Sequence, residues 1–150
     1  MGRYREGMDA VDAVRALYQA YQDRDWWRAG TLLHPEAVVE MPGTSERLDG
    51  RDAIVGFQRA YPEPWGVLTV KRQWGDNDSA AAEVQVVDPR GQLFALAAFW
   101  VMHEGLLHRG VEYWVDVGLG SPPPSRASSA ATEAAQAAWR SSPGSVDDDP

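Results

Sequence analysis

Gln92-Leu-Phe-Ala-Leu-Ala-Ala-Phe-Trp-Val-Met-His103 is an apolar run of strand length that does not alternate with polar residues. Polar turn residues flank it: Asp88-Pro-Arg-Gly91 before and Glu104-Gly105 after. A strand that is apolar on both faces has to be covered on both. The run therefore reads as the central strand of a curved sheet, with one face toward a pocket and the other toward a second subunit.

Three further strands are predicted around it, over 66–75, 80–88 and 106–117. Gly75-Asp-Asn-Asp78 and the two turns just quoted carry the Gly, Pro, Asn or Asp that hairpins need. Such short connections make the four strands antiparallel neighbours. Upstream, Val11, Val14, Leu17, Tyr18 and Tyr21 form one apolar stripe of a helix over 9–21. Asp25 caps a second helix over 26–33, which Pro35 stops. Asp23-Arg24-Asp25 fits capping and solvation. Glu36–Met41 reads as a short strand closed by Pro42-Gly43, followed by a loop with Thr44, Ser45 and Glu46. A third helix begins near Asp49-Gly-Arg-Asp52, turns Ile54, Val55, Phe57 and Tyr61 inward, and ends before Pro62 and Pro64.

The chain has 150 residues, 44% hydrophobic and 24% charged. That is room for one domain, 1–120, and a tail, 121–150. Ser121-Pro-Pro-Pro-Ser125 is a linker. The alanine-rich stretch 128–140, with Trp139 its one large apolar residue, is a marginal helix by itself. No run of roughly 18 apolar residues exists to span a membrane. Met1-Gly-Arg-Tyr-Arg-Glu6 lacks an apolar signal core, so a cytoplasmic protein is expected. The absence of cysteine excludes disulfides, thiolate nucleophiles and Cys-based metal sites. The net charge is −8, and two arginines against four acids in the tail leave most of it in the body. Nucleic acid is a poor partner for such a chain. Three histidines without metal-ligand spacing argue against a metal, His34 reading as a loop residue and His103 as a turn residue. No phosphate-binding glycine loop is present, and no cofactor is expected.

Three helices followed by a four-stranded curled meander give an order that several motifs refine. These are Tyr18-Gln-Ala-Tyr-Gln-Asp-Arg-Asp-Trp26, Leu33-His-Pro-Glu-Ala-Val-Val-Glu-Met-Pro42, Asp49-Gly-Arg-Asp-Ala-Ile54, and Glu104-Gly105 with Glu112-Tyr-Trp114. Over residues 8–118 the chain resembles the nuclear-transport-factor-2-like superfamily and its SnoaL-like members. Ketosteroid isomerases, polyketide cyclases and limonene-epoxide hydrolases share that fold. The resemblance implies an α+β, cystatin-like barrel: a cone-shaped curved sheet, mixed or antiparallel, wrapped around three N-terminal helices, with a C-terminal tail. Carried over residue by residue, the isomerase base falls on Met41, the oxyanion tyrosine of the first helix on Leu17, and the protonated aspartate of the central strand on Trp100. All three roles are lost. The Asp-Arg-Asp set of the epoxide hydrolases is not evident, although Asp116 and Arg109 have the right residue types.

Strand registers give the expected pocket. A four-residue loop at Asp88–Gly91 pairs Val87 with Gln92, Gln85 with Phe94, and Glu83 with Leu96. A three-residue turn with a glycine bulge at His103-Glu104-Gly105 pairs Trp100 with His108, Ala98 with Gly110, and Leu96 with Glu112. Three rows then share a face: Ser79, Trp100, His108; Ala81, Ala98, Gly110; and Glu83, Leu96, Glu112. The middle row leaves an open floor. Gly110 marks either close approach by a ligand or a bulge that bends the sheet. Glu83 and Glu112 stand roughly 10 Å apart. Burial raises a carboxylate's pKa, which would make either one an acid or a base near neutrality. The competing reading puts Glu83 at a solvated edge and pairs Glu112 with an arginine such as Arg72.

The expected site has Glu112, His108 and Glu83 in catalytic roles. Trp100, Trp114, Met41, Ala98, Gly110, Gln85 and Leu17 would hold a small hydrophobic molecule. The opposite face, with Val84, Val86, Ala97, Phe99, Val101 and Tyr113, would be covered by a second copy in a homodimer, or in part by Trp139 of the tail. A two-residue turn at Glu104-Gly105 would instead bring Arg109, Val111 and Tyr113 inward. The function that follows is general acid/base chemistry on a ring-containing molecule, as an isomerase, cyclase or hydrolase. The alternatives are a non-catalytic binding module or a dimeric interaction domain.

Overall fold

The computed structural model describes residues 7–62, 65–126, 133–135 and 137–138. Helix α1 (Ala10–Asp23) starts at Asp9, whose carboxylate accepts from the Asp12 N–H at 2.8 Å. It ends at Arg24 in the left-handed region, φ 58°. Asp25 caps α2 (Trp26–Leu32) in the same way, accepting from the Arg28 N–H at 3.0 Å. Both caps satisfy amides that the first helical turn leaves free. Helix α3 is Arg51–Arg59. The stripe predicted for α1 is buried, with Val14, Leu17, Tyr18 and Tyr21 at most 3% exposed. It packs across strands β3 and β4, while α3 packs on β1.

Six strands form one curved, unclosed, mixed sheet: β1 (Leu33–Met41), β2 (Glu46–Asp49), β3 (Val67–Gly75), β4 (Ser79–Val87), β5 (Leu93–His103) and β6 (Leu106–Asp116). Their order is β2-β1-β6-β5-β4-β3. Strand β1 runs parallel to β6, and the other neighbours are antiparallel. The predicted central strand is β5, held between β4 and β6. Two features differ from the sequence reading. The stretch from Glu46 is a strand, not a loop. And β1 begins at Leu33, so His34 lies in a strand, with a register irregularity between Leu33 and Val38 where Pro35 supplies no ladder donor.

Neither hairpin has the turn type expected of it. At Asp88 the loop includes Gln92: the Asp88 N–H donates to the Gln92 carbonyl at 3.0 Å, and the Gly91 N–H to the Asp88 carbonyl at 2.9 Å. Gly91 sits at φ 85°, the left-handed glycine of a bulged turn. Val87 therefore pairs with Leu93, Gln85 with Ala95, and Glu83 with Ala97. That one-residue slip turns every β4 side chain to the other face. At Glu104-Gly105 both residues have positive φ, 53° and 76°, a two-residue turn that pairs His103 with Leu106. Left uncorrected, this would bring Arg109 inward. A bulge between Val101 and Met102 leaves His108 without a cross-strand partner and restores the parity. Trp100 then faces Gly110, Ala98 faces Glu112, and Leu96 faces Trp114.

Glu112 and Trp114 thus share the helix-covered face with Trp100, as expected, though by another route. Val84 and Val86 do not belong to the outer face: they are 1% and 4% exposed and lie inside, opposite Leu96 and Phe94. Ala97, Phe99, Val101 and Tyr113 are on the outer face, and Phe99, Val101, Tyr113 and Val115 are about half exposed. Most of the tail read over 121–150, Trp139 included, lies outside the described residues.

Candidate functional site

The inner face of the sheet and the helices enclose a cavity of about 560 Å³. Seven aromatic side chains line it: Tyr18 and Tyr21 from α1, Phe57 from α3, Tyr61 and Trp65 from the segment after it, Phe94 from β5 and Trp114 from β6. Met41, Leu68 and Val86 add aliphatic surface. Three acids, Glu46, Asp88 and Asp116, also line it. Phe94 and Asp116 are cross-strand partners, with Trp114 two residues earlier on the same face.

Behind this wall lies a buried polar chain. Glu112 is 3% exposed. Its Oε2 accepts from the Tyr18 hydroxyl at 2.8 Å, and Trp100 Nε1 donates to the Tyr18 oxygen at 3.2 Å. The Trp114 side chain lies near enough to favour the charged carboxylate. Burial pushes the Glu112 pKa above its ordinary value of 4.5, and the Tyr18 hydroxyl and then the Trp114 side chain partly oppose the rise. Burial, reinforced by the Glu112 charge, holds both Tyr18 and Tyr21 well above the usual phenol range, so both are neutral phenols.

The structure brings together only part of the site read from the sequence. Met41 and Trp114 line the cavity. Glu112 and Trp100 stand one layer behind, joined through Tyr18. Leu17 and Ala98 are fully buried core residues and do not reach the cavity. Gly110 is not an open floor: a Cβ there would lie 2.7 Å from the Trp100 ring, so the indole fills the space the missing side chain leaves. Glu83 and Gln85 are on the wrong face, moved there by the Gln92 slip. Glu83 forms an ion pair with Arg72 at 3.4 Å, and the buried Gln85 Oε1 has no hydrogen-bond partner among the described residues. Arg109 pairs with Val101 on the outer face while Asp116 lies inside, so the epoxide-hydrolase pair of residue types is not assembled.

His108 is also removed from Glu112. Placed by the bulge, it meets the other two histidines at the end of the sheet. The ring centroids are 4.9 Å apart for His34–His108, 5.0 Å for His103–His108 and 5.4 Å for His34–His103. Partial burial, then the Arg109 charge and the neighbouring histidines, lower the His108 pKa. Ligand atoms of His34, His103 and Glu104 lie within 4.8 Å of one another. However, His34 Nδ1 accepts from the Glu36 N–H at 3.0 Å. A neutral ring in that state carries its proton on Nε2, the atom that faces Glu104. Metal binding there would set an Nδ1–H against the Glu36 N–H, so the ring is arranged as a donor and not as a ligand.

Sequence reasoning missed Tyr18. It counted as one more member of an apolar stripe, while the isomerase correspondence pointed one residue away, at Leu17. The available signal was a pair of tyrosines three residues apart on a buried stripe: a buried phenol needs a hydrogen-bond partner, and a polar group on the facing strand had to supply it.

Helices laid in an open, curved mixed sheet around one cavity define the nuclear-transport-factor-2-like α+β cone. The SnoaL-like domain family matches residues 14–109, and the chain belongs to that family. It is similar to a candidate ketosteroid isomerase from Kribbella flavida, at 30% identity over 77% of this chain and 83% of that one, with a TM-score of 0.70. It also resembles an NTF2-like protein of unknown function from Burkholderia xenovorans (19% identity, 77% and 88% covered, TM-score 0.65). A third similar structure is a Mycobacterium tuberculosis LEH-like epoxide hydrolase (19% identity, 73% and 85% covered, TM-score 0.62). The latter two share the fold. No curated protein matches the sequence at a significant level. Among the described residues, no helix is long and apolar enough to cross a membrane.

Proposed function

We propose that this protein holds a small, hydrophobic, ring-containing molecule in the cavity and acts on an oxygen of that molecule by general acid catalysis through Tyr18, with Glu112 as the proton source behind it. The observation that carries this reading is the buried Trp100–Tyr18–Glu112 chain ending in a tyrosine of the cavity wall. When Glu112 is protonated it can donate to the Tyr18 oxygen, which frees the Tyr18 O–H to donate to a ligand carbonyl. Enolisation then passes the phenolic proton to the carbonyl oxygen. The Glu112 proton restores the phenol, and the carbon-bound proton leaves to water. The raised pKa of Glu112 keeps the acid form available nearer neutrality than in an exposed glutamate. Isomerisation, ring closure and hydrolysis can all use such a donor.

Deuterium exchange α to the carbonyl of 2-tetralone in D2O tests this. The wild type should accelerate exchange over buffer, and Glu112→Gln should bind the ketone but lose the acceleration. Binding without acceleration in the wild type supports the second reading, a non-catalytic binding module. One observation favours that reading: Glu112 itself does not touch the cavity. The same proposal places the protein in the cytoplasm as a homodimer. A second copy would cover Phe99, Val101, Tyr113 and Val115, an exposed apolar face too continuous for a monomer. Phe99→Asp should then sediment as a folded monomer, and an unchanged wild-type monomer would end the dimer reading.

A further inference from the structure

The cavity is greasy and, at the same time, carries charge of a single sign. Seven aromatic side chains and three carboxylates line it, and among the described residues no lysine or arginine does. The nearby cations are committed elsewhere. Arg47 binds Glu40 and Asp49. Arg24 lies over the Trp65 ring at 3.9 Å and donates to the Trp65 carbonyl. That contact shows one face of a wall indole already used as a seat for a cation.

The three acids are not equivalent. Asp88 Oδ1 accepts from the Arg90 and Gln92 N–H groups of its own turn, so its geometry serves the hairpin. Glu46 accepts from the Thr44 hydroxyl through one oxygen and keeps the other. The Asp116 carboxylate, exposed at the opening, has neither an ion pair nor a hydrogen bond among the described residues, and the residue shares the inner face with Trp114 and Phe94. Trp114 and Tyr61 are 40% and 47% exposed, so their rings are accessible at the opening. A neutral apolar ligand has no use for unpaired carboxylates beside aromatic rings, and an anion would be repelled. An organic ammonium suits both: its charge meets Asp116 and Glu46, and its alkyl groups meet the ring faces.

We infer that the ligand of this cavity is a hydrophobic organic cation, a tertiary or quaternary amine attached to a ring, with its charged end at Asp116 and its ring among Tyr21, Phe57 and Trp114. This rests on the proposed function, in that the cavity is taken to be the ligand site.

The discriminating pair of probes is (3-hydroxyphenyl)trimethylammonium and 3-tert-butylphenol, which have the same shape and differ in a charged nitrogen against a carbon. Titration followed by tryptophan fluorescence should show the cation binding about tenfold tighter. Added salt should narrow the ratio, and Asp116→Asn should narrow it further while leaving the phenol unchanged. Trp114→Ala should weaken both, which places binding in the cavity. Equal affinities, or tighter binding of the phenol, overturn the cationic ligand and leave the cavity as a binding site. If neither probe binds, or if binding ignores Trp114→Ala, the cavity reading falls together with this inference.

Discussion

Gly110→Ala is the most direct test of how the site is built. Gly110 lies opposite Trp100 in the β5–β6 ladder and opposite Val39 in the β1–β6 ladder, so its backbone is held on both sides. An added Cβ would meet the Trp100 ring atoms Cε2, Cζ2 and Cη2 at 2.7 Å. Ordinary contact begins at 3.4 Å, so the indole has to retreat by roughly 0.7 Å. It cannot do so freely, because Trp100 is 2% exposed and its Nε1 is tied to Tyr18. Overpacking of this kind costs about 1–3 kcal/mol. Loss of the Nε1 hydrogen bond adds about 1 kcal/mol. Against that, replacing a strand glycine gains about 0.5–1 kcal/mol of backbone entropy. The net expectation is a destabilisation of about 1–3 kcal/mol, read from urea unfolding followed by far-UV circular dichroism.

Gly56→Ala is the control: it sits in α3 with nothing within 4 Å of an added Cβ, so it should stabilise by about 0.5–1 kcal/mol. A double-mutant cycle then isolates the contact. Trp100→Phe removes the part of the indole that faces Gly110. In that background Gly110→Ala should cost at least about 1 kcal/mol less than in the wild type. Equal cost in both backgrounds, or no cost in the wild type, would mean that Trp100 does not lie over Gly110.

The raised pKa of Glu112 makes its contribution to stability fall as pH rises from 4.5 through the folded value, because the folded state binds the proton more tightly there. The stability of the wild type minus that of Glu112→Gln should decline by up to about 1.4 kcal/mol per pH unit inside that window and level off beyond it; a difference that is flat or rises with pH contradicts the burial of an ionisable carboxyl. Tyr18→Phe takes one donor from Glu112 and the acceptor from Trp100 Nε1 and should cost about 1–3 kcal/mol. Its cost should be larger at neutral than at acid pH, a dependence that thermal melts at two pH values will show or exclude. Arg72→Ala removes a pair whose arginine is 66% exposed, and chemical denaturation should find a loss below about 1 kcal/mol.

Which parts of this molecule were legible in the sequence follows from the range of each signal. The helix cap at Asp25 and the apolar stripe of α1 are local, and the chain states them within four residues. The order of helices and hairpins is nearly as local. The parallel pairing of β1 with β6 joins segments some seventy residues apart, and no spacing in either encodes it. Tyr18 belongs to the same class: its role depends on Glu112, 94 residues away.

Facing lies between these cases, because a sheet transmits one local turn decision to every residue of the next strand. The facing of β4 is written in the strand itself. Strand β4 itself alternates, Glu83-Val84-Gln85-Val86, and period-two burial puts the valines inside whatever the turn. The hairpin count conflicts with that alternation, and taken alone it puts Glu83 in the pocket and the valines on the surface. On β6 the reverse happened. Leu106–Asp116 has too few strongly polar positions to fix its own facing, and the unpaired His108 carries no Gly or Pro to announce a bulge. A wrong turn type and a missed bulge then cancelled, which placed Glu112 correctly. A strand's own pattern, where it has one, therefore outranks the turn beside it as evidence of facing. A bulge without glycine is visible only once both partner strands are in place.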